Sequence, residues 1–348
     1  MNSKETVNVL SCFKTLDQFE EKEPEWLIPG RIPKGQITTI GSDGGVGKTT
    51  ISVYTAAPIS RGERCFLDPP NHSRPAGLVA FISTEDSVSS KLKRKLREAG
   101  ADMENIICPD FSKSNADALR DFKFGSEQMA LFVEHYKPTL CIFDPLQGFI
   151  PPLINMGARN AMRDCMAPLI SLGEQYGTTF LILCHTNKRK GASGRDRLAD
   201  SADIWDISRS VLMGGYTDQQ GIRYLSHEKS NYGELQPTIL FTIDKSGTIH
   251  AEGETWKRDR EFMSEAISNL GPQKMQDCQE WILALLDDAG GSMPSKDLDE
   301  QAKAEGYSKA TLRRAKDKLK ENNEICYRQV GARGEKIWFT DRLFLPAK

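Results

Sequence analysis

The amino-acid sequence predicts an α/β fold, a mostly parallel sheet with helices on both faces, followed by a smaller second domain. Three observations predict it. Short apolar runs alternate with helical stretches from about residue 34 to residue 246, the pattern of strand–helix units that feed a parallel sheet. A glycine-rich run, Gly41-Ser42-Asp43-Gly44-Gly45-Val46-Gly47-Lys48-Thr49-Thr50, separates a strand signal from a helix signal. The chain has 348 residues, a length that predicts about two domains.

Residues 1–30 read as an arm, with Pro24 and Pro29 in it, Pro33 just beyond it, and Trp26-Leu27-Ile28-Pro29-Gly30 expected to pack on the core. The first domain is expected over 31–246, with apolar runs at 36–41, 77–83, 105–108, 139–144 and 178–184. A helix is expected from Thr49 to about Ile59. Three more runs, 210–213, 222–226 and 238–243, lie close together and read as added antiparallel strands. Residues 247–272 read as a linker ending at Gly271-Pro272. Over 273–348 comes an amphipathic stretch from Cys278 to Leu286, then helix 296–305 with Ser295 as its N-cap, then helix 309–320 capped by Ser308. Strand signals at 325–328 and 336–339 flank the turn Gly331-Ala332-Arg333-Gly334. Three helices and a two-stranded wing describe a winged-helix-like domain.

Apolar content of 39% and charged content of 27% fit a globular protein with a core. A formal net charge of −2 excludes a chain that is basic throughout, so any nucleic-acid surface is local. The eight cysteines are scattered with no C-x-x-C pair, which argues for a reducing compartment and against a disulfide framework or zinc site. Neither an apolar signal core nor an 18-residue apolar run is present, so a cytoplasmic location away from membranes is expected.

The glycine-rich run reads as a P-loop. Its glycines, Gly44, Gly45 and Gly47, let backbone amides around Val46, Lys48, Thr49 and Thr50 wrap a triphosphate. Lys48 reaches the β/γ-phosphates and Thr49 offers a hydroxyl to Mg²⁺, while the helix N-terminus favours the anion. Strict P-loop spacing asks for glycine at position 42, where this chain has Ser42. The apolar run Leu140-Cys141-Ile142-Phe143 ends in Asp144, a carboxylate placed to hold Mg²⁺. The run Leu78-Val79-Ala80-Phe81-Ile82-Ser83 ends at Thr84-Glu85-Asp86. Glu85 is the candidate to orient and deprotonate an attacking water, and Asp86 is a cap or supporting residue. A third run, 180–184, ends at His185-Thr186-Asn187, where His185 is placed to feel the γ-phosphate.

Together these strand tips resemble the RecA-like ATPase core, and more closely the hexameric plasmid replication helicases of the RepA type with their phage and mobile-element relatives. The resemblance covers about residues 24–245 and extends to Ser208-Arg209-Ser210-Val211-Leu212 and Lys229-Ser230-Asn231-Tyr232. It implies Glu85 as catalytic glutamate, Asp144 as metal aspartate and His185 as γ-phosphate sensor. Arg209 matches the arginine that such proteins offer to a neighbour's nucleotide, with Lys229 a second candidate. Some relatives carry an arginine where this chain has Asn231, which favours Arg209. Such a finger makes hydrolysis depend on a ring; the alternative is that Arg209 pairs with Asp203 or Asp206 of its own chain.

Nucleic acid has two candidate contact regions. The basic, glycine-containing stretch 187–197, with Lys188, Arg189, Lys190, Arg195 and Arg197, suits phosphate contacts beside the nucleotide sensor, and in the resembled family it faces the central channel. It lacks the N-K-x-D pattern of guanine readers, so GTP specificity is not supported. Helix 309–320 carries Lys309, Arg313, Arg314 and Lys316 around an apolar stripe of Leu312, Ala315 and Leu319, as a major-groove helix would. Arg328, Arg333 and Lys336 lie on or near the wing.

The expected function is an ATP- and Mg²⁺-dependent DNA motor: a ring-forming, hexameric replicative helicase of a mobile element, with single-stranded DNA in its channel and duplex at the winged helix. Two alternatives stay open. One is a DNA-stimulated ATPase without unwinding, such as a loader or recombination mediator. The other is an ATP-switched DNA-binding regulator.

Overall fold

A computed structural model of the protein describes residues 13–85, 87–110, 112, 115, 119–152, 154, 160–187, 192–198, 202–330 and 334–340, with the backbone alone at 202, 267–274 and 335. It divides into two compact units at Arg260/Glu261.

The first unit is built on a nine-stranded sheet. Its parallel part comprises β3 (Ile37–Ser42), β4 (Val79–Ser83), β5 (Ile106–Ile107), β6 (Leu140–Asp144), β7 (Thr179–His185) and β8 (Ser210–Tyr216), in the spatial order β8-β3-β7-β6-β4-β5. β9 (Arg223–Ser230), β10 (Thr238–Ile243) and β11 (Ile249–Thr255) continue it antiparallel beyond β8. Before the sheet, β1 (Trp26–Ile28) pairs with β2 (Ile32–Pro33), and Leu27 and Ile28 are buried as the arm reading expects.

Side-chain alternation along the strands explains why both faces are covered. Leu140, Ile142, Leu181 and Leu183 point to the face packed by α1 (Lys48–Arg61) and α2 (Lys93–Glu98). Cys141, Phe143, Phe180, Ile182 and Cys184 point to the opposite face. There they meet α3 (Glu127–Tyr136), α4 (Ala161–Tyr176) and α5 (Ala202–Ile207). Near-continuous apolar strands are what such a doubly covered parallel sheet requires.

The α/β, mostly parallel architecture is therefore as expected, with two differences. β8 pairs parallel with β3 and only then antiparallel with β9, so it belongs to the core rather than to the added strands. The stretch expected as a linker, 247–272, holds β11 and the beginning of α6 (Asp259–Asp288). β11 is polar and mostly exposed, which hides its strand character from an apolar-run reading; its pairing with β10 makes the strand.

In the second unit, the end of α6, α7 (Ser295–Ala304) and α8 (Lys309–Glu321) enclose Cys278, Ile282, Leu298, Ala302, Leu312, Ala315 and Leu319. β13 (Ile325–Val330) and β14 (Glu335–Thr340) form a hairpin, and β12 (Ser292–Pro294) pairs with β14 as a third strand that its short sequence signal does not announce. Ser308 caps α8 by accepting from the Thr311 amide at 3.1 Å. Ser295 is the first residue of α7 rather than its N-cap, and its Oγ instead accepts from Trp338 Nε1 at 3.3 Å.

His227 on β9 is fully buried. Its Nδ1 accepts from the Gln236 amide at 3.0 Å, and its Nε2 lies 3.1 Å from Ser210 Oγ. Burial, with Arg31 nearby, pushes its pKa down from 6.5 to about 4. Above pH 6.5 neither folded nor unfolded His227 is charged. As pH falls below 6.5 the unfolded chain takes a proton that the folded ring refuses until about pH 4. Stability is therefore expected to fall by roughly 3 kcal/mol from this residue across that window. Urea denaturation of wild type and His227→Asn between pH 7 and 4 checks this: the variant should lose that share of the pH dependence, and equal slopes would refute it.

Candidate functional site

Parallel pairing brings the site together. Ser42 of β3 is in register with His185 of β7, and Ser83 of β4 with Asp144 of β6. The polar ends of four strands thus lie side by side at one edge of the sheet, where the crevice of an open α/β sheet lies.

Following β3, the chain turns through Gly45 (φ 83°) and Gly47 (φ 103°) into α1. Both glycines hold left-handed backbone that other residues adopt at a cost. Gly47 is also crowded, since a Cβ there would meet Ile243 Cδ1 at 2.4 Å. Ser42 resolves the departure from strict P-loop spacing. It is the last residue of β3, outside the positive-φ positions, and its carbonyl accepts from Lys48 Nζ at 2.7 Å. No glycine is needed there.

Lys48 is nine-tenths buried. Its ammonium also lies 3.3 Å from Ser42 Oγ, the Asp43 carbonyl and His185 Nδ1. Burial lowers its pKa from the ordinary lysine range, opposed by the carboxylates of Asp144, Asp43 and Glu85. Across the imidazole, His185 Nε2 stands 3.5 Å from Glu85 Oε1. The neutral tautomer with its proton on Nε2 accepts from Lys48 and faces Glu85 with its N–H. His185, Lys48 and Glu85 are thereby one chain of contacts.

Thr49 Oγ1 donates to Asp144 Oδ2 at 2.7 Å. This pair joins α1 to the tip of β6, and the hydroxyl and carboxylate are the hard oxygen ligands that Mg²⁺ takes. Donor chemistry and loop geometry therefore fit a Mg²⁺–triphosphate at Gly44, Gly45, Val46, Gly47, Lys48, Thr49 and Thr50. A cleft of about 770 Å³ opens beside Glu85, lined by Ser83, Thr84, Ser87 and Asp110.

Arg209 follows α5 and enters β8. Its amide donates to the Ile37 carbonyl at 2.9 Å, and its Nε is buried with no hydrogen-bond partner among the described residues. It makes no ion pair with Asp206, whose carboxylate Arg195 engages at 2.7 Å. Lys229 donates to the carbonyls of Trp205 and Asp206 at 2.8 and 3.1 Å and so caps the C-terminus of α5. Burial lowers its pKa, and although Asp206 opposes this, Arg209, Arg195 and Arg163 add to it. Four cations thus share one region.

Two candidate DNA contacts need correction. Arg197 is 2% exposed and its fork is fully engaged inside the first unit, by Asp43, Asp259, Tyr224 and the Gly214 carbonyl. It is a structural cation rather than a surface one. Lys316 is also buried: its ammonium meets Asp299 at 2.6 Å and lies 5.3 Å from the centre of the Trp338 ring. Lys309, Arg313 and Arg314 are exposed on α8, as their reading requires. Lys188, Arg189 and Lys190 lie outside the described residues, as do Asp86 and Arg333.

Some contacts at the site had no sequence signal. Tyr216 Oη donates to the Gly45 carbonyl at 2.8 Å, and Thr186 Oγ1 donates to the Asp43 carboxylate. Each stabilises the P-loop from a distant part of the chain, a contact that spacing within a motif does not encode.

Comparison with known proteins places these features in a family. The family model described as an AAA domain, AAA_25, matches residues 4–191. Among curated proteins, the chain is 22% identical over 246 residues to the DNA repair protein RadA of Streptococcus pneumoniae, covering 70% of this chain and 50% of that one. It is 22% identical over 255 residues to RadA of Bacillus subtilis, covering 71% and 49%. The chain thus spans about half the length of the curated relatives it matches. Among solved structures, the flagellar accessory protein FlaH of Methanocaldococcus jannaschii aligns with a TM-score of 0.42 at 15% identity, over 64% of this chain and 91% of that one. The AAA-domain match covers more than half of the sequence and carries the whole P-loop together with the tips of β4, β6 and β7, so the protein belongs to the AAA domain family AAA_25.

Proposed function

We propose that the protein is an ATP-hydrolysing, Mg²⁺-dependent DNA motor of the RecA-like class, working as a hexameric ring in the manner of the RepA-type replicative helicases. The observation that carries the ATPase part is the convergence of Thr49 with Asp144 and of Lys48 with His185 and Glu85 at the tips of neighbouring parallel strands. In this reading Lys48 binds the β/γ-phosphates. Thr49 and Asp144 hold Mg²⁺, which supplies charge neutralisation of the phosphates when bound. Glu85 orients water and takes its proton. His185 links the lysine to Glu85, so charge at the phosphate site is felt at the acid.

The ring rests on Arg209. Its side chain is half-buried and makes no ion pair with Asp206, and a neighbouring subunit's phosphate is the partner proposed for its terminal nitrogens. Lys229, committed to the α5 carbonyls, supports the cluster without serving as the finger. DNA would be held by Arg195 with Lys188, Arg189 and Lys190 in the channel, and by Lys309, Arg313 and Arg314 on α8 of a winged-helix-like unit. The similarity to DNA repair proteins named RadA favours a second reading, a DNA-stimulated ATPase that does not unwind.

ATP turnover of wild type and Glu85→Gln, each with and without single-stranded DNA, tests the core of the proposal. DNA should stimulate wild type, and Glu85→Gln should bind ATP while losing about 10²–10⁴-fold in rate. Turnover indifferent to single strands would refute the motor. Strand displacement from a tailed duplex then separates helicase from non-unwinding ATPase.

Arg209→Ala should keep nucleotide affinity and lose about 10³-fold or more in turnover at concentrations where wild type is assembled. Unchanged turnover would return Arg209 to a structural role. In the second unit, Arg313→Ala should reduce the salt slope of duplex binding by about one. Lys316→Ala should instead lower the melting temperature, because it leaves Asp299 and the Trp338 face unpartnered. A Lys316→Ala protein of normal stability and weakened DNA binding would contradict that division.

A further inference from the structure

Among the described residues of the first unit, the most buried cation takes no part in the proposed reaction, yet it touches the P-loop. Arg197 directs one terminal nitrogen to Asp43 Oδ2 at 3.2 Å and to the Gly214 carbonyl at 3.3 Å. The other reaches Tyr224 Oη at 3.1 Å and the Asp259 carboxylate. Tyr224 Oη in turn donates to Asp259 Oδ1 at 2.8 Å, and the Gly194 amide donates to Asp259 Oδ2, also at 2.8 Å. Asp259 is fully buried, opens α6, and has its own amide bonded to Glu228 Oε1 at 2.8 Å. At the other end Asp43 is half exposed and also accepts from Thr186, the residue after the sensor His185.

We propose that Arg197 is a positioning residue through which nucleotide at the P-loop sets the first turn of α6 and the backbone of residues 192–198. The proposal rests on the nucleotide-binding reading above and adds α6 as a destination. Its physical basis is the planar guanidinium. The five donors of arginine keep a fixed fork, so a pull on the prong at Asp43 is felt by the prong at Asp259. A triphosphate at the P-loop puts negative charge beside the Asp43 carboxylate and drives it toward the nearest cation and hydroxyl, Arg197 and Thr186. That tightens the fork on Asp259, and with it the bonds Asp259 receives from Tyr224 and Gly194. Both charges at the Arg197–Asp259 contact are nine-tenths or more buried, so neither exchanges its partner for water.

Hydrogen–deuterium exchange of the full chain with Mg²⁺–AMP-PNP tests this in wild type, Arg197→Lys and Tyr224→Phe. In wild type the nucleotide should slow exchange at 43–50, and by at least about fivefold at 192–198 and 259–263. Arg197→Lys, which keeps the charge and removes the fork, should keep the slowing at 43–50 and lose it at the two remote segments. Tyr224→Phe removes the hydroxyl that bonds Arg197 and Asp259; it should keep the slowing at 43–50 and lose it at 259–263, and it decides alone if Arg197→Lys fails to fold. Undiminished remote slowing in the deciding variant overturns the proposal. So does a wild type that slows at 43–50 and nowhere else. A wild type with no slowing at 43–50 overturns the nucleotide-binding reading, and the proposal falls with it.

Discussion

The structure of the first unit depends on one constraint: its parallel strands are covered on both faces. Alternate residues of β6 and β7 enter two separate apolar layers, so a polar side chain on these strands can meet solvent or ligand only at a strand end. The register of β3, β7, β6 and β4 then aligns those ends. Asp144 and His185 are neighbours of the P-loop because of that alignment, although the chain between them is long.

Electrostatics at this edge follow from partial burial. Lys48 is held as a cation in a poorly solvated place by carbonyls, an imidazole and the surrounding carboxylates. Such a site is strongly responsive to added negative charge, because interactions that water would screen retain their strength. The same argument separates two parts of Asp43: its carbonyl belongs to the Lys48 shell, while its carboxylate faces Thr186 and Arg197. One P-loop residue thus borders both the phosphate site and the buried charge network that ends on α6.

Among the described cations, burial separates enclosed side chains from exposed ones. Arg197 and Lys316 sit in sequence contexts that look basic and exposed, yet each is enclosed by an acid and an aromatic side chain. Lys229 is fixed by helix-end carbonyls. Arg209 differs because its Nε is buried without a partner among the described residues, and Lys309, Arg313 and Arg314 differ because they are exposed. Residue type alone did not separate these groups.

The sequence by itself determined the α/β class, most of the core strands, the P-loop with its helix, and the identities of Asp144, Glu85 and His185 at strand tips. These signals are local: apolar runs, glycines at turns, and a polar residue ending a run. The Ser308 cap and the Leu312–Ala315–Leu319 stripe were legible for the same reason. Tertiary structure decided what depends on partners remote in the chain. It made β8 a core strand, turned the expected linker into β11 and the start of α6, and closed Arg197 onto Asp43, Asp259 and Tyr224. A charged side chain carries the same letter whether it is solvated or buried. Only the fold supplies the neighbouring charges and the loss of water that make the two cases different.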